Sequence, residues 1–360
     1  MNDKPLYHKP LDDKSIDHKP LDDKSIDRKP LDNTPVDDTV LDALISAADV
    51  DGLVRLVDSR CASRDWAGLF RLRERARWAV STGRQLWPAA TLAEYRLALL
   101  APAEWATRVL DEGSGRLSMG PLTEVIAQSN TWACLAPLLG SGPRAGFVAH
   151  ERVLRGDQVD PTDLPDVLEL PFELQPWEPA YQLAQYGPQD AAFDSPAIPP
   201  NLLVTVPQPA ERVDDDAVTL AFRQLVEPWT AQSNGQADVV CVEGSAADAV
   251  GALGVSRLRI ARLAPDHALA WMAWAGASGG AMGRRRGGAL GRFGAWWLVA
   301  ALGDALDEWP LHPAAMENLL NELQWYWWDA GEPALGWELQ LAVELPGEGL
   351  AWAFSARDAV

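Results

Sequence analysis

Between residues 156 and 212 a proline recurs every few positions: Pro161, Pro165, Pro171, Pro176, Pro179, Pro188, Pro196, Pro199, Pro200, Pro207 and Pro209. No long helix or central strand can cross such a stretch, because each proline lacks a backbone donor and its ring obstructs the preceding turn. The chain therefore divides into two regions with regular structure. The stretch is too apolar for a solvated linker, carrying Leu168, Leu170, Phe172, Leu174, Trp177 and Tyr181. It is expected to wrap across the surface of both flanking domains. Residues 202–206 read as one edge strand bounded by proline.

Upstream, residues 39–155 have helical spacing. Val40, Leu41, Leu44 and Ile45, then Leu53, Leu56 and Val57, recur at steps of three and four, with Asp38 as the N-cap. A second helix begins at Trp66 and runs to about residue 83, and Pro88, Pro102 and Pro121 suit first-turn positions of three more. Downstream, residues 213–360 mix periods. Strands are expected at 239–242, 258–263, 269–275, 337–345 and 350–354, and helices at 218–226, 246–253, 280–307 and 312–329. The expected class is α+β: a helical N-terminal domain, then a mixed or antiparallel sheet domain covered by helices.

Residues 1–38 contain a decapeptide repeat. The run from Lys9 to His18 recurs almost unchanged from Lys19 to Arg28 and then degenerates. Each unit offers one Leu and one Ile among several charges, too little apolar area to offset chain entropy, so the arm is expected to be disordered.

The formal net charge of −20 opposes long-range attraction to nucleic acid or anionic membrane. The longest apolar run, 293–302, covers about half of the ~20 residues a membrane span needs, and residues 1–20 have no apolar run, so neither insertion nor export is expected. Cys61, Cys134 and Cys241 form no CxxC pair and read as reduced thiols, which points to the cytoplasm.

The segment 276–294 is the strongest candidate for chemistry. Its glycine N–H groups and nearby guanidinium groups could hold a phosphate or carboxylate, giving an anion site of Gly279, Gly280, Gly283, Arg284, Arg285, Arg286 and Arg292. It contains neither GxxxxGK[ST] nor a GxGxxG after a strand. The competing structural reading puts Gly279, Gly283, Gly287 and Gly291 along a helix as a groove, with the arginines paired to acids such as Asp304, Asp307 and Glu308. His150, His267 and His312 have no second ligand at metal spacing, so no metal site is expected, and no cofactor is implied. Four aromatics in a row, Trp325 to Trp328, cannot share one side of a helix. Trp325, Trp327 and Trp328 are thus an expected interaction surface for a second copy or a protein partner.

The runs Arg284-Arg285-Arg286 to Leu298, Gly336 to Glu344 and Gly349 to Ala353 resemble a family of uncharacterised proteins of high-GC actinobacteria, over about residues 40–360. The resemblance implies a cytoplasmic source and carries over no catalytic residue. No catalytic constellation is complete in the sequence. The expected function is a binding or scaffold protein, the alternative an anion- or nucleotide-phosphate-binding enzyme using segment 276–294.

Overall fold

Short helices upstream of the prolines follow their breakers and caps. The computed structural model describes residues 38–206, 210–331 and 336–359. The decapeptide repeat lies outside the described residues. The helices are α1 (Thr39–Ala47), α2 (Val50–Ser63), α3 (Trp66–Ser81), α4 (Trp87–Leu100), α5 (Ala103–Ala106), α6 (Leu122–Ser129), α7 (Trp132–Leu139) and α8 (Pro143–Val153). Asp49 and Asp65 accept hydrogen bonds from the Gly52 and Gly68 N–H groups at 2.8 Å, satisfying donors that α2 and α3 leave open at their starts. Pro88 stands in the first turn of α4, whereas Pro102 and Pro121 sit one step earlier, as the N-caps of α5 and α6.

Residues 156–184 have no regular structure, yet Leu168 and Leu170 are buried in the same core as Trp296. A two-stranded pair follows, β1 (Gln185–Tyr186) and β2 (Ala191–Ala192), and the Tyr186 side chain is buried among the upstream helices.

The remaining strands form one antiparallel sheet: β3 (Leu202–Thr205), β4 (Arg212–Val213), β5 (Gln236–Glu243), β6 (Arg257–Leu263), β7 (Gln324–Asp329), β8 (Gly336–Leu345) and β9 (Leu350–Ala359). Their order is β3-β6-β7-β8-β9-β5-β4. Alternation along each strand fills two cores. Cys241, Trp325, Trp327, Leu341, Val343, Trp352 and Phe354 face α9 (Asp216–Leu225), α10 (Glu227–Ala231) and the three helices inserted between β6 and β7. Val240, Val242, Trp328, Ala342, Ala351 and Ala353 face α11 (Ala246–Ala252). The inserted helices are α12 (Pro265–Ala277), α13 (Gly288–Leu302) and α14 (Pro313–Glu322). The chain is thus α+β, with a helical N-terminal region and an antiparallel sheet covered by helices.

Three expected elements are corrected. Residues 269–275 are helix rather than strand: Pro265 occupies the first turn of α12, which runs on through this stretch. The helix expected over 312–329 ends at Glu322, and Trp325 to Trp328 lie on β7, where aromatic side chains pack well on a pleated surface. The helix expected from residue 280 starts at Gly288, after an irregular turn.

Candidate functional site

That turn, residues 278–287, joins α12 to α13 and holds most of the expected anion site. Part of the turn, Gly280 and Ala281, already faces a carboxylate of the chain itself. Asp358, on β9 and 1% exposed, accepts a hydrogen bond from the Ala281 N–H at 2.6 Å, and a Cβ at Gly280 would collide with its carboxylate. Gly279 and Gly283 press against each other so closely that neither can carry a side chain. The Arg286 N–H is bonded to the Ala277 carbonyl. The expected glycine cradle is therefore filled from within. The helical glycine groove is corrected as well: of the four spaced glycines, Gly291 alone lies within a helix. Its close neighbour is Gly276, where an added Cβ would come within 3.3 Å of the Gly291 Cα as α12 crosses α13.

The arginines have separate fates. Arg292 is 1% exposed, and Glu178 accepts from its Nε and Nη2 at 2.7 and 2.6 Å, while the carbonyls of Pro171 and Glu173 take its other N–H groups. Arg292 is thereby a clamp on the proline-rich stretch, saturated by groups other than the expected Asp304, Asp307 and Glu308. Arg286 donates to the Gln224 carbonyl at 2.8 Å. Arg285 and Arg284 both line an open cleft.

Arg285 closes the floor of that cleft. Its Nη2 lies 3.3 Å from Oε1 of the fully buried Glu124, its Nε donates to the Tyr186 hydroxyl at 3.1 Å, and its guanidinium carbon stands 3.9 Å from the centre of the Phe193 ring. Tyr186 donates in turn to Glu124 Oε2, and burial beside that carboxylate raises its hydroxyl pKa. Arg285 Nη1 has no acceptor among the described residues. Behind Arg285, Glu151 of α8 accepts from the Ala289 N–H at the start of α13 at 2.8 Å and from Arg155 at 3.0 Å. Both acids crowd Gly287, where a Cβ would sit 2.8 Å from Glu151 and 3.6 Å from Glu124. Burial, reinforced by the Glu124 charge, pushes the Glu151 carboxyl up to about 7. Perturbed carboxyls of this kind are common at functional sites.

The cleft runs between loop 110–121 and the 278–287 turn. Its polar half has a volume of about 330 Å³ and is bordered by Arg116, Arg144, Arg284 and Arg285, the Ser114 and Ser118 side chains and the first turn of α6. Its apolar half, about 470 Å³, shares Arg116 and Arg284 and adds Val80, Trp87, Ala90 and Leu117. Volumes of this size suit small molecules. The loop is fixed from below. Buried Glu94 of α4 accepts from the Gly115 N–H at 2.9 Å, from Arg73 at 3.3 Å and from Arg77 at 3.0 Å, and both arginines also engage Asp111. Those bonds hold Asp111 below its ordinary carboxylate pKa, even though partial burial is the largest single influence and acts upward. The two carboxylates at the cleft are thus matched to Arg73 and Arg77. The Arg116, Arg144 and Arg284 guanidinium groups meet no carboxylate among the described residues.

The sequence missed Glu124, Glu151, Tyr186, Arg116 and Arg144. The one available signal was an acid on an apolar helical face, as Glu124 stands among Leu122, Val125 and Ile126. Other expected residues lie elsewhere. Trp325, Trp327 and Trp328 are 1, 6 and 1% exposed, because a strand sends neighbours to opposite faces and both faces are covered. They present no contact surface. His150 is 1% exposed and stacked on Phe172 at 4.2 Å, and burial drives its pKa down to about 3. No group of three or more His, Cys, Asp or Glu among the described residues could hold a metal ion.

A model described as a family of unknown function (DUF6183) matches residues 51–359. No curated protein and no solved structure matches the chain.

Proposed function

The chain belongs to this family of unknown function, so its role has to be argued from its own geometry, and we propose that it binds a small anionic molecule with an apolar body. The carrying observation is the convergence of Arg116, Arg144 and Arg284, without carboxylate partners, on one cleft of a chain with formal net charge −20. In so acidic a protein, a cluster of free guanidinium groups focuses an anion locally and binds phosphate or carboxylate bidentately. Trp87, Val80 and Leu117 give the ligand's body an apolar wall.

Titration calorimetry with phenyl phosphate and with inorganic phosphate tests this reading. Phenyl phosphate should bind more tightly than phosphate, and the triple variant R116A/R144A/R284A should bind it at least about tenfold more weakly, since each hydrogen bond to a charged group contributes ~1.5–3 kcal/mol. Equal binding by the triple variant would refute the cleft as the site.

An enzymatic version, in which segment 276–294 holds the phosphate of a substrate, is supported by Arg284 and Arg285 at the cleft. Hydrolysis of phenyl phosphate to phenol and phosphate that is lost in R116A/R144A/R284A would favour it. A homodimer would use β3, an edge strand whose Leu202 and Leu203 are 74 and 62% exposed. The free thiols Cys61, Cys134 and Cys241 support work in the cytoplasm, and the sequence resemblance supports an actinobacterial source.

A further inference from the structure

A third hollow adjoins the polar half of the arginine cleft, at the turn between α7 and α8. It has a volume of about 540 Å³, and Leu110, Leu138, Leu139 and Pro143 are among its walls. It meets the polar half at Leu110 and Arg144, which border both, and it shares no residue with the apolar half. The polar half is therefore flanked by two separate apolar spaces. Both are open to a ligand: Trp87 and Leu117 on one side are 45 and 52% exposed, and Leu138 on the other is 48% exposed.

The arginines stand at the two boundaries. Arg116 and Arg284 border both the polar and the apolar half, and Arg144 borders both the polar half and the third hollow. An anion held by all three sits between the two apolar spaces, with room for an organic group to leave it in either direction. A phosphate monoester has one such group, and a diester has two. Charge points the same way. Glu112 borders the third hollow, where its carboxylate would repel a second phosphate and leave a neutral group undisturbed.

We propose that the cleft takes a phosphodiester, with its single negative charge between Arg116, Arg144 and Arg284, one organic arm against Trp87 and Leu117, and the other against Leu138 and Leu139. This assignment rests on the anion-binding reading of the cleft and adds the second arm to it.

Calorimetry on the whole chain compares diphenyl phosphate with phenyl phosphate. A phosphate monoester carries about −1.5 to −2 charges at pH 7 and a diester carries one, so the arginines alone would prefer the monoester. A second ring buried in the third hollow reverses that order, and diphenyl phosphate should bind about fivefold more tightly or better. Leu138→Asn, a change at an exposed position, should lower this preference several-fold and bind phenyl phosphate as the wild type does, which also shows that the variant is folded. Dibutyl against butyl phosphate, and adenylyl-adenosine against adenosine monophosphate, repeat the comparison for a lipid-like and a nucleotide source; a diester preference in either pair supports the proposal. Diphenyl phosphate binding no more tightly than phenyl phosphate, or a preference untouched by Leu138→Asn, would overturn the second arm while the anion reading stands. That reading fails by a different result, the binding of phenyl phosphate by R116A/R144A/R284A as by the wild type.

Discussion

The helical region and the sheet region solve the same packing problem with different materials. Upstream, Arg60, Arg73, Glu94, Arg96, Glu124, Glu151 and Arg152 are buried, and charge networks tie short helices together. In the sheet region the interior is aromatic, with Trp229, Trp296, Trp325, Trp328, Phe222 and Phe354 among its most buried side chains. Short helices with many alanines leave gaps that long guanidinium side chains can bridge, whereas a pleated sheet under helices gives flat rings a surface to lie on. Each solution leaves a characteristic remainder. The charged region ends in arginines without partners, and the aromatic region in the indole donors of Trp271 and Trp274, without acceptors among the described residues.

If the contrast is real, the two interiors should respond differently to damage. Glu94→Leu removes the buried acceptor shared by Arg73, Arg77 and Gly115, leaving the buried Arg73 only the exposed carboxylates of Glu74 and Asp111. Denaturant unfolding should show a loss of about 3–5 kcal/mol, the range for breaking a buried ion pair. A loss below about 1 kcal/mol would mean that the network adds little beyond packing.

The next test uses pH. From the ordinary 4.5 up to about 7, the unfolded chain releases the Glu151 proton while the folded chain keeps it, so this group lowers stability as pH rises through that window. His150 acts with the opposite sign. Its folded pKa is depressed to about 3, so its contribution is present above the ordinary 6.5 and is lost as pH falls toward 3. Comparing Glu151→Gln with the wild type isolates the first effect. The melting temperature of the variant minus that of the wild type should climb between pH 4.5 and 7 and level off above. A flat difference would place the Glu151 proton elsewhere.

Smallest of the three, Phe222→Leu replaces one ring of the pair stacked 4.9 Å from Phe354. An aromatic interior that tolerates volume-conserving change should lose only about 1–1.5 kcal/mol. A loss as large as that of Glu94→Leu would erase the contrast.

Where periodicity is long and uninterrupted, the sequence was enough. The alternation from Trp337 to Leu345 is β8, and the three- and four-residue steps after Asp38 are α1 and α2. It misled where one residue type serves two structures. Pro265 can start a helix or make a turn, and the choice rests on alanines that pack α12 against α13. The candidate site was legible only in part. Arg284 and Arg285 do border the cleft, but the turn beside them holds Asp358 through the Ala281 N–H, and no local pattern could reveal a carboxylate 77 positions beyond Ala281. Glu124 and Glu151 are ordinary acids in sequence, and they become unusual through partners contributed by three other parts of the chain.

The place of β9 in the sheet has a consequence for how the protein is made. It is the last described strand in sequence and lies inside the sheet, between β8 and β5. A ribosome delivers the helical region early, and those local contacts can form at once. The sheet must wait with its middle missing until residues 350–359 emerge, and only then can Asp358 fasten the turn that carries Arg284 and Arg285. A nascent chain that still lacks residues 350–359 would therefore hold folded helices and an unfinished arginine-lined cleft.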